Sequence, residues 1–244
     1  MHPVPPTRRV ERVRHELKRR QLEVVAVTPL SPGFVAVTFG GESLADFVSL
    51  SFDDHVKFMF DNGGSEPVRR DYTPRTFSTA QRLLTIEFAL HGHGLASEWA
   101  RHARLGQRVV VGGPRGSMII PVDYAWHLLA GDATALPAIR RRLEELPAGT
   151  PVTVIAHADA ADRLPLPANA DLNVQWVDSA DALVEAVRAQ PLPAGEGFVW
   201  CAGEAASMAA VRKVLLDEKK QPKEAMRVAA YWKHGASEFH ENLE

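Results

Sequence analysis

The rhythm of apolar segments changes once along this chain of 244 residues, and that change constrains the fold more than any other feature. Short strand-like segments, separated by turn residues, occupy 22–27, 34–39, 55–60, 84–90 and 108–111. Evenly spaced strands with little helix between them predict an antiparallel barrel or sandwich. A single stretch with helical spacing, 95–105, interrupts them.

After Pro121 strand-like segments are mixed with helical ones. The strand-like segments are 126–130, 151–156, 172–177 and 197–202, and the helical ones are 134–146, 181–189 and 206–218. This alternation predicts a parallel sheet covered by helices. The sequence therefore predicts a β domain over 1–122 and an α/β domain over 123–244.

Composition excludes several classes of function. The net charge of −2 predicts no general affinity for nucleic acid. Cys201 is the single cysteine, so an internal disulfide, a multi-cysteine zinc site and a cysteine-ligated iron–sulfur cluster are excluded. Without a long apolar run or a signal-peptide pattern, we expect no membrane span and a cytoplasmic location.

A basic segment covers residues 7–20. Two interpretations are open for it. It can be a solvated turn or helix that leads into the barrel, or an N-terminal arm that attracts an anionic ligand or a membrane surface.

The run 70–75, Arg-Asp-Tyr-Thr-Pro-Arg, is the strongest local indication of function. The Tyr72 ring can stack on an isoalloxazine, the Thr73 hydroxyl can reach its N5 edge, and the Arg70 guanidinium can bind a pyrophosphate. These are the groups that hold a flavin. Taken alone, however, four common residues describe an ordinary edge strand equally well.

Three turns could receive phosphates or a nucleotide. Residues 91–97 join a strand to a helix start, where glycines allow close approach and backbone amides can bind phosphate. Residues 131–137 open a helix after the first parallel strand, and 200–204 end another strand at the edge where such sheets bind ligands. A metal site at His91 and His93 is disfavoured because no carboxylate follows at ligand spacing.

Taken together, these segments resemble the siderophore-interacting protein family of ferric-siderophore reductases, which are flavoproteins related to the ferredoxin reductases. The matching segments are 54–57, 70–75, 91–100, 113–117, 129–138, 200–204 and 231–235. The resemblance implies a six-stranded antiparallel FAD barrel followed by a parallel α/β sandwich for NADPH or NADH. It also implies an anionic ferric siderophore, for example of the catecholate type, as substrate.

The resemblance also assigns roles to residues. Tyr72 and Thr73 are expected to act at the reacting flavin. The expected cofactor contacts are Arg70, Tyr72, Thr73, His91, Gly94, Ala96, Ser97, Asp132, Thr134, Ala202, Gly203 and Glu204. The expected cations of the substrate pocket are Lys57, Arg75 and Lys233, since a site for an anion needs positive charge.

Some alternatives stay open at this point. The electron donor can be NADPH, NADH or a reduced ferredoxin, and the chain can also be a protein that binds and delivers ferric siderophores without reducing them. Asp159 and Asp162 favour NADH, whereas Arg163 favours the 2′-phosphate of NADPH.

Overall fold

A computed structural model describes residues 9–60, 67–90, 94–167 and 169–236, with the backbone of 241–242. The strands of the first half are β1 Glu11–Arg14, β2 Arg19–Ser31, β3 Phe34–Gly40, β4 Val56–Phe60, β5 Val68–Tyr72, β6 Thr76–Ser78, β7 Leu83–Ala89, β8 Arg108–Gly112 and β9 Gly116–Ile119. The helix α1, Leu95–Arg101, lies between β7 and β8.

Seven of these strands form one antiparallel sheet in the order β5-β4-β8-β2-β3-β7-β6. The edge strands β5 and β6 are separated by only three residues in the chain, so the sheet curls until its edges approach each other. Alternate residues fill the interior, among them the fully buried Phe39, Phe58 and Phe88. The six longer strands are those of the expected barrel, and the three-residue β6 is an addition.

The expectation of a turn or helix for the basic segment was wrong over the part that the structure describes. β1 pairs with β9, and the first residues of β2 pair with β8. Arg20 is buried, where its guanidinium contacts Asp46 at 2.5 Å, and Lys18 binds the same carboxylate at 2.6 Å. Because Asp46 compensates the charges of Lys18 and Arg20, this basic segment can form strands. Basic composition alone did not indicate a strand.

The second half contains the strands β10 Trp126–Asp132, β11 Pro151–His157, β12 Asp171–Val177, β13 Gly197–Glu204, β14 Met226–Trp232 and β15 Glu241–Asn242. Its helices are α2 Leu136–Glu145, α3 Ala180–Ala189 and α4 Ala205–Lys213, the last continued by a π-helical turn over Val214–Glu218. The sheet order is β12-β11-β10-β13-β14-β15, parallel except for β15. Within the ranges described, no helix is long and apolar enough to cross a bilayer.

The order of the parallel strands fixes where a ligand can enter. From β10 the chain proceeds outward to β11 and β12, then returns to build β13 and β14 on the other side of β10. The crevice at the carboxyl ends of β10 and β13 is therefore the topological switch point, which is where open α/β sheets bind ligands. The strand β14 completes this side of the sheet and was not anticipated from the sequence.

Three consecutive arginines of α2 join the two halves. Arg141 donates to Ser49 Oγ at 2.8 Å, to Pro74 O at 2.9 Å and to Ser49 O at 3.1 Å. Arg140 binds Glu87 of β7 at 2.5 Å. The buried Arg142 donates to Pro121 O at 2.6 Å. Each guanidinium thus reaches a group outside its own helix, and the set fixes α2 against the β domain.

Further polar contacts cross the junction near the sheet. Trp200 Nε1 donates to Asp53 Oδ1 at 2.8 Å, and Arg227 pairs with the other oxygen of Asp53. Asp162 accepts hydrogen bonds from Ser31 Oγ and Gly33 N, both at 2.7 Å. A Cβ on Gly33 would lie 2.2 Å from Asp162 Oδ2, so glycine is required for this close approach. The two halves are consequently held together at several separate points.

We expect Arg141→Met to destabilise the protein by about 2–4 kcal/mol, because it leaves buried acceptors on Ser49 and Pro74 without their donor. Urea unfolding followed by circular dichroism measures this change. Arg188→Met is the matched control, since Arg188 makes comparable ion pairs with Glu185 and Glu218 at an exposed position. Equal shifts of the unfolding midpoint in the two variants would contradict the role given to Arg141.

Candidate active site at the domain junction

A cavity of about 920 Å³ lies where the two halves meet, and we call it the junction cavity. Its volume is at the upper end of the range for cofactor sites, roughly 300–1,000 Å³. Residues from β4, β5, β7 and α1 line one side, and residues that follow β10 and β14 line the other. Members of this lining include Lys57, Arg69, Arg70, Asp71, Tyr72, Thr73, Glu87, Gly94, Ala96, Ser97, Thr134, Tyr231, Trp232 and Lys233.

Tyr72 reaches the cavity from the end of β5. Its half-buried ring packs on Phe88, with ring centroids 4.5 Å apart, and meets Phe58 edge-on at 6.2 Å. Burial raises the pKa of the Tyr72 phenol well above its ordinary value. A neutral ring supported from behind by two aromatic side chains is suited to stack against a flat ligand.

Thr73 connects the same motif to the other half of the molecule. The side chain is buried and is hydrogen-bonded to that of Tyr231, on β14. Burial raises the pKa of Tyr231, which therefore stays protonated at neutral pH. The Thr73 hydroxyl is thus oriented by a residue of the α/β domain.

The start of α1 contributes backbone donors to the junction cavity. Gly94 is the N-cap residue, and Ala96 and Ser97 lie in the first turn, where amides have no partner within the helix. Among the residues that the structure describes, nothing lies within 4 Å of a Cβ placed on Gly94. His91, also predicted as a cofactor contact, lies outside the described residues, as does His93.

Asp132, expected as a cofactor contact, binds four donors of the protein itself. Its Oδ1 accepts from Thr134 N at 2.9 Å and from Thr134 Oγ1 at 2.5 Å. Its Oδ2 accepts from Glu204 N at 2.8 Å and from Trp232 Nε1 at 2.9 Å. With these four donors bound, this carboxylate joins the ends of β10, β13 and β14, and it does not line the junction cavity.

Residues 202–204, expected as nucleotide contacts, have structural partners and do not line the junction cavity. Ala202 is fully buried in β13, and a Cβ on Gly203 would lie 2.6 Å from Asp132 Oδ2. Glu204 caps α4 by accepting from Ala206 N at 2.6 Å and Ser207 N at 3.1 Å. A carboxylate therefore already occupies the helix end that would have attracted a phosphate. Of the predicted nicotinamide contacts that the structure describes, Thr134 lines the cavity.

The three cations predicted for a substrate pocket differ in whether they line the cavity. Lys57 and Lys233 line the junction cavity. The Lys57 side chain is 48% exposed, and its ammonium lies 2.7 Å from Asp71 Oδ1. Arg75 is only 5% exposed and does not line the cavity.

Carboxylates from both halves surround Arg75. Its guanidinium donates to both oxygens of Glu144, at 2.5 and 2.6 Å, and its Nε lies 3.3 Å from Glu87. The bidentate pair holds Arg75 at the junction between the domains.

Sequence reasoning missed several residues that line the cavity, among them Glu87 and Arg69. Glu87 is an acidic residue inside a largely apolar strand, a signal that could have been noticed, and Arg69 immediately precedes the 70–75 motif. The opposing signals for NADH and NADPH have structural roles: Asp162 binds Ser31 and Gly33, while Arg163 binds Asp178 at 2.5 Å. None of Asp159, Asp162 and Arg163 lines the junction cavity.

The residues of the junction cavity fit FAD. Tyr72 and the turn at Gly94 line the same cavity. A buried acceptor, Glu87 Oε2, lacks a hydrogen-bond partner among the residues described. Tyr72 supplies a flat apolar surface, and the first turn of α1 supplies amide donors.

Two family models and several known proteins match this chain. The family model described as "Siderophore-interacting protein" matches residues 124–235, and "Siderophore-interacting FAD-binding domain" matches 23–68 and 61–118. The chain is 35% identical to the NADPH-dependent ferric-chelate reductase of Escherichia coli, over 91% of this chain and 96% of that protein. It is 29% identical to the ferric vibriobactin reductase of Vibrio cholerae, over 91% and 93%.

Solved structures agree with these matches. A siderophore utilization protein from T. fusca superposes with a TM-score of 0.89 at 34% identity, covering 94% of this chain and 98% of that one. The ferredoxin reductase of carbazole 1,9a-dioxygenase, at 18% identity and a TM-score of 0.64, covers 86% of this chain and 64% of that one. The second likeness shows that the fold is of the ferredoxin-reductase type.

We expect Asp132→Asn to destabilise the protein by about 1–3 kcal/mol, because an amide nitrogen would face donors that now point at carboxylate oxygens. We also expect faster amide hydrogen exchange over 226–236, since Trp232 loses its anchor. Exchange measured by mass spectrometry, together with urea unfolding, tests both effects. The control Asp181→Asn changes an exposed acid in the first turn of α3, and exchange over 226–236 that matches it would refute the anchoring role.

Proposed function

The chain belongs to the siderophore-interacting protein family, and on that premise we propose how its residues carry out the reaction. It is a ferric-siderophore reductase that uses FAD and a nicotinamide cofactor. We assign FAD to residues 1–122 and the nicotinamide to 123–244. One observation carries this proposal: residues of the flavin motif, the turn after β10 and two lysines line a single cavity.

Bound FAD would accept two electrons from the donor and pass them one at a time to siderophore-bound Fe(III). The protein supplies position. We propose that Tyr72 stacks on the flavin ring, that Tyr231 orients the Thr73 hydroxyl toward the N5 edge, and that Arg70 binds the pyrophosphate together with the amides of 94–97. The fixed rings behind Tyr72 support this assignment, because a stacking partner must not move during the reaction.

We propose that the nicotinamide enters at the switch point between β10 and β13 and that Thr134 contacts it there. Asp132 and Glu204 act indirectly in this proposal, by holding the residues that follow β14. We propose NADPH as the donor, a choice that rests on the printed name of the Escherichia coli relative. A nicotinamide donor and a single unpaired cysteine favour the cytoplasm as the place of reaction.

Lys57 and Lys233 are the cations that we propose for the substrate. An anionic ferric siderophore, such as a triscatecholate, is attracted to a cavity mouth that carries ammonium groups, and flexible lysines adapt to ligands of varied shape. Asp71 keeps Lys57 at this position through its ion pair. Reduction to Fe(II) then weakens the hold of hard oxygen ligands, so iron can leave.

An anaerobic absorbance titration tests the function directly. We expect NADPH to bleach the FAD-loaded protein and a ferric catecholate siderophore to restore the flavin absorbance in a ratio of two ferric ions per flavin, since Fe(III) accepts one electron. Bleaching by reduced ferredoxin in place of NADPH or NADH would indicate a ferredoxin-fed reductase. Siderophore binding without any flavin oxidation would indicate a delivery protein, and either result would overturn the proposal.

We expect Lys57→Ala to raise the KM for an anionic ferric siderophore on the order of three- to tenfold, as loss of about one favourable charge contact predicts. The KM for a neutral ferric chelate should change much less. Lys223→Ala, at an exposed position outside the junction cavity, is the matched control. Equal effects of Lys57→Ala on the two substrates would remove its electrostatic role.

A further inference from the structure

Glu87 is a carboxylate placed between the two domains and at the wall of the junction cavity. It lies on β7 between Ile86 and Phe88, which face the interior of the barrel, so its own side chain points outward, toward α2. The residue is only 7% exposed. A charge this deeply buried requires partners.

One of its two oxygens has such partners. Oε1 accepts from Arg140 Nη1 at 2.5 Å and lies 3.3 Å from Arg75 Nε. Oε2 is buried and has no hydrogen-bond partner among the residues that the structure describes. A buried, ionised oxygen without a donor is costly, and in native proteins such a group commonly receives its donor from a ligand or water.

The chain geometry places Glu87 beside the flavin motif. Arg75 N donates to Thr85 O at 2.9 Å. Arg75 Nε also lies 3.3 Å from Glu87 Oε1, and Thr73 and Glu87 both line the junction cavity. Glu87 therefore shares the cavity wall with the motif that carries the reacting ring.

We propose that Glu87 Oε2 accepts a hydrogen bond from N3–H of the bound isoalloxazine and thereby fixes the orientation of the ring in the cavity. The proposal rests on the FAD site at Tyr72 and Thr73. A carboxylate can only accept, and the oxidised isoalloxazine has one N–H group, at N3. The adenine amino group is excluded because it lies beyond the pyrophosphate, at the other end of the molecule.

The two arginines that bind Glu87 fix the position of its carboxylate. Arg140 comes from α2 and Arg75 from the segment before β6, so the carboxylate is fixed from both domains. Because this acceptor is already fixed, little conformational entropy of its side chain is lost when the ligand binds. The negative charge beside the pyrimidine edge also disfavours the electron density that the ring gains on reduction, so we expect the flavin midpoint potential to rise when this charge is removed.

The test compares binding of FAD and N3-methyl-FAD to apoprotein, measured by fluorescence titration, in the wild type, Glu87→Gln and Glu144→Gln. In Glu87→Gln the amide oxygen stays with the arginines, so the amide NH₂ faces the cavity and cannot accept. Glu144→Gln is the matched control, because it weakens the same Arg75 without altering the cavity wall.

For the wild type we expect N3-methylation to weaken binding roughly ten- to hundredfold, the usual worth of a hydrogen bond to a charged group. Glu87→Gln should bind FAD more weakly by a similar factor and lose less than about threefold further on methylation. Glu144→Gln should discriminate between the two flavins as the wild type does. A midpoint potential that is more positive in Glu87→Gln alone completes the expected result.

Several outcomes would overturn the inference. They are equal affinity of the wild type for both flavins, full discrimination in Glu87→Gln, or a Glu87→Gln effect confined to the KM for NADPH, which would assign the acceptor to the nicotinamide amide. If Glu87→Gln does not fold, the wild-type comparison decides. Failure of the wild type to bind either flavin would instead refute the proposed function, so the two failures are distinguishable.

Discussion

Three adjacent guanidinium groups on α2, of which Arg141 and Arg142 are buried, bind acceptors of the β domain, and the arrangement of both domains follows from these contacts. A buried guanidinium needs fixed acceptors, and α2 finds them on the β domain, in the carbonyl oxygens of Ser49, Pro74 and Pro121 and in the carboxylate of Glu87. The acceptors lie on different segments, so only one orientation of the helix satisfies all of them. Because the junction cavity has walls from both domains, its shape depends on this packing.

Carboxylates at the junction mainly bind donors of the protein and so join neighbouring elements of the structure. Asp132, Glu204 and Asp53 each bind donors from neighbouring strands, helices or loops. The donors of Asp132 and Glu204 are neutral N–H and O–H groups, whereas Asp53 is also paired with Arg227. These acids hold the backbone in position, while Lys57 and Lys233 line the junction cavity.

Sequence periodicity predicted most of the elements, because burial on one face of a sheet or helix imposes the spacing directly. The family and the ferredoxin-reductase type of fold are confirmed. Contacts distant in sequence could not be predicted in this way. Arg75 resembles a ligand-binding cation until Glu144, 69 residues later, is seen beside it. The turn at 202–204 likewise resembles a nucleotide site until the side chain of Glu204 is found to cap α4. In both cases a polar residue has a partner that only the folded chain supplies.

The end of β14 has a consequence for how enzymes of this kind can diverge. Tyr231 is turned toward Thr73, and Trp232 is tied to Asp132, so the strand is secured up to its last residue. The residues immediately after it, from Lys233 to Ala236, are exposed and line the cavity mouth. In the proposed site these residues form part of the surface that a siderophore meets, so replacements here would alter that surface and leave the secured strand and the flavin motif unchanged. Substrate range could therefore evolve at these positions with little cost in folding.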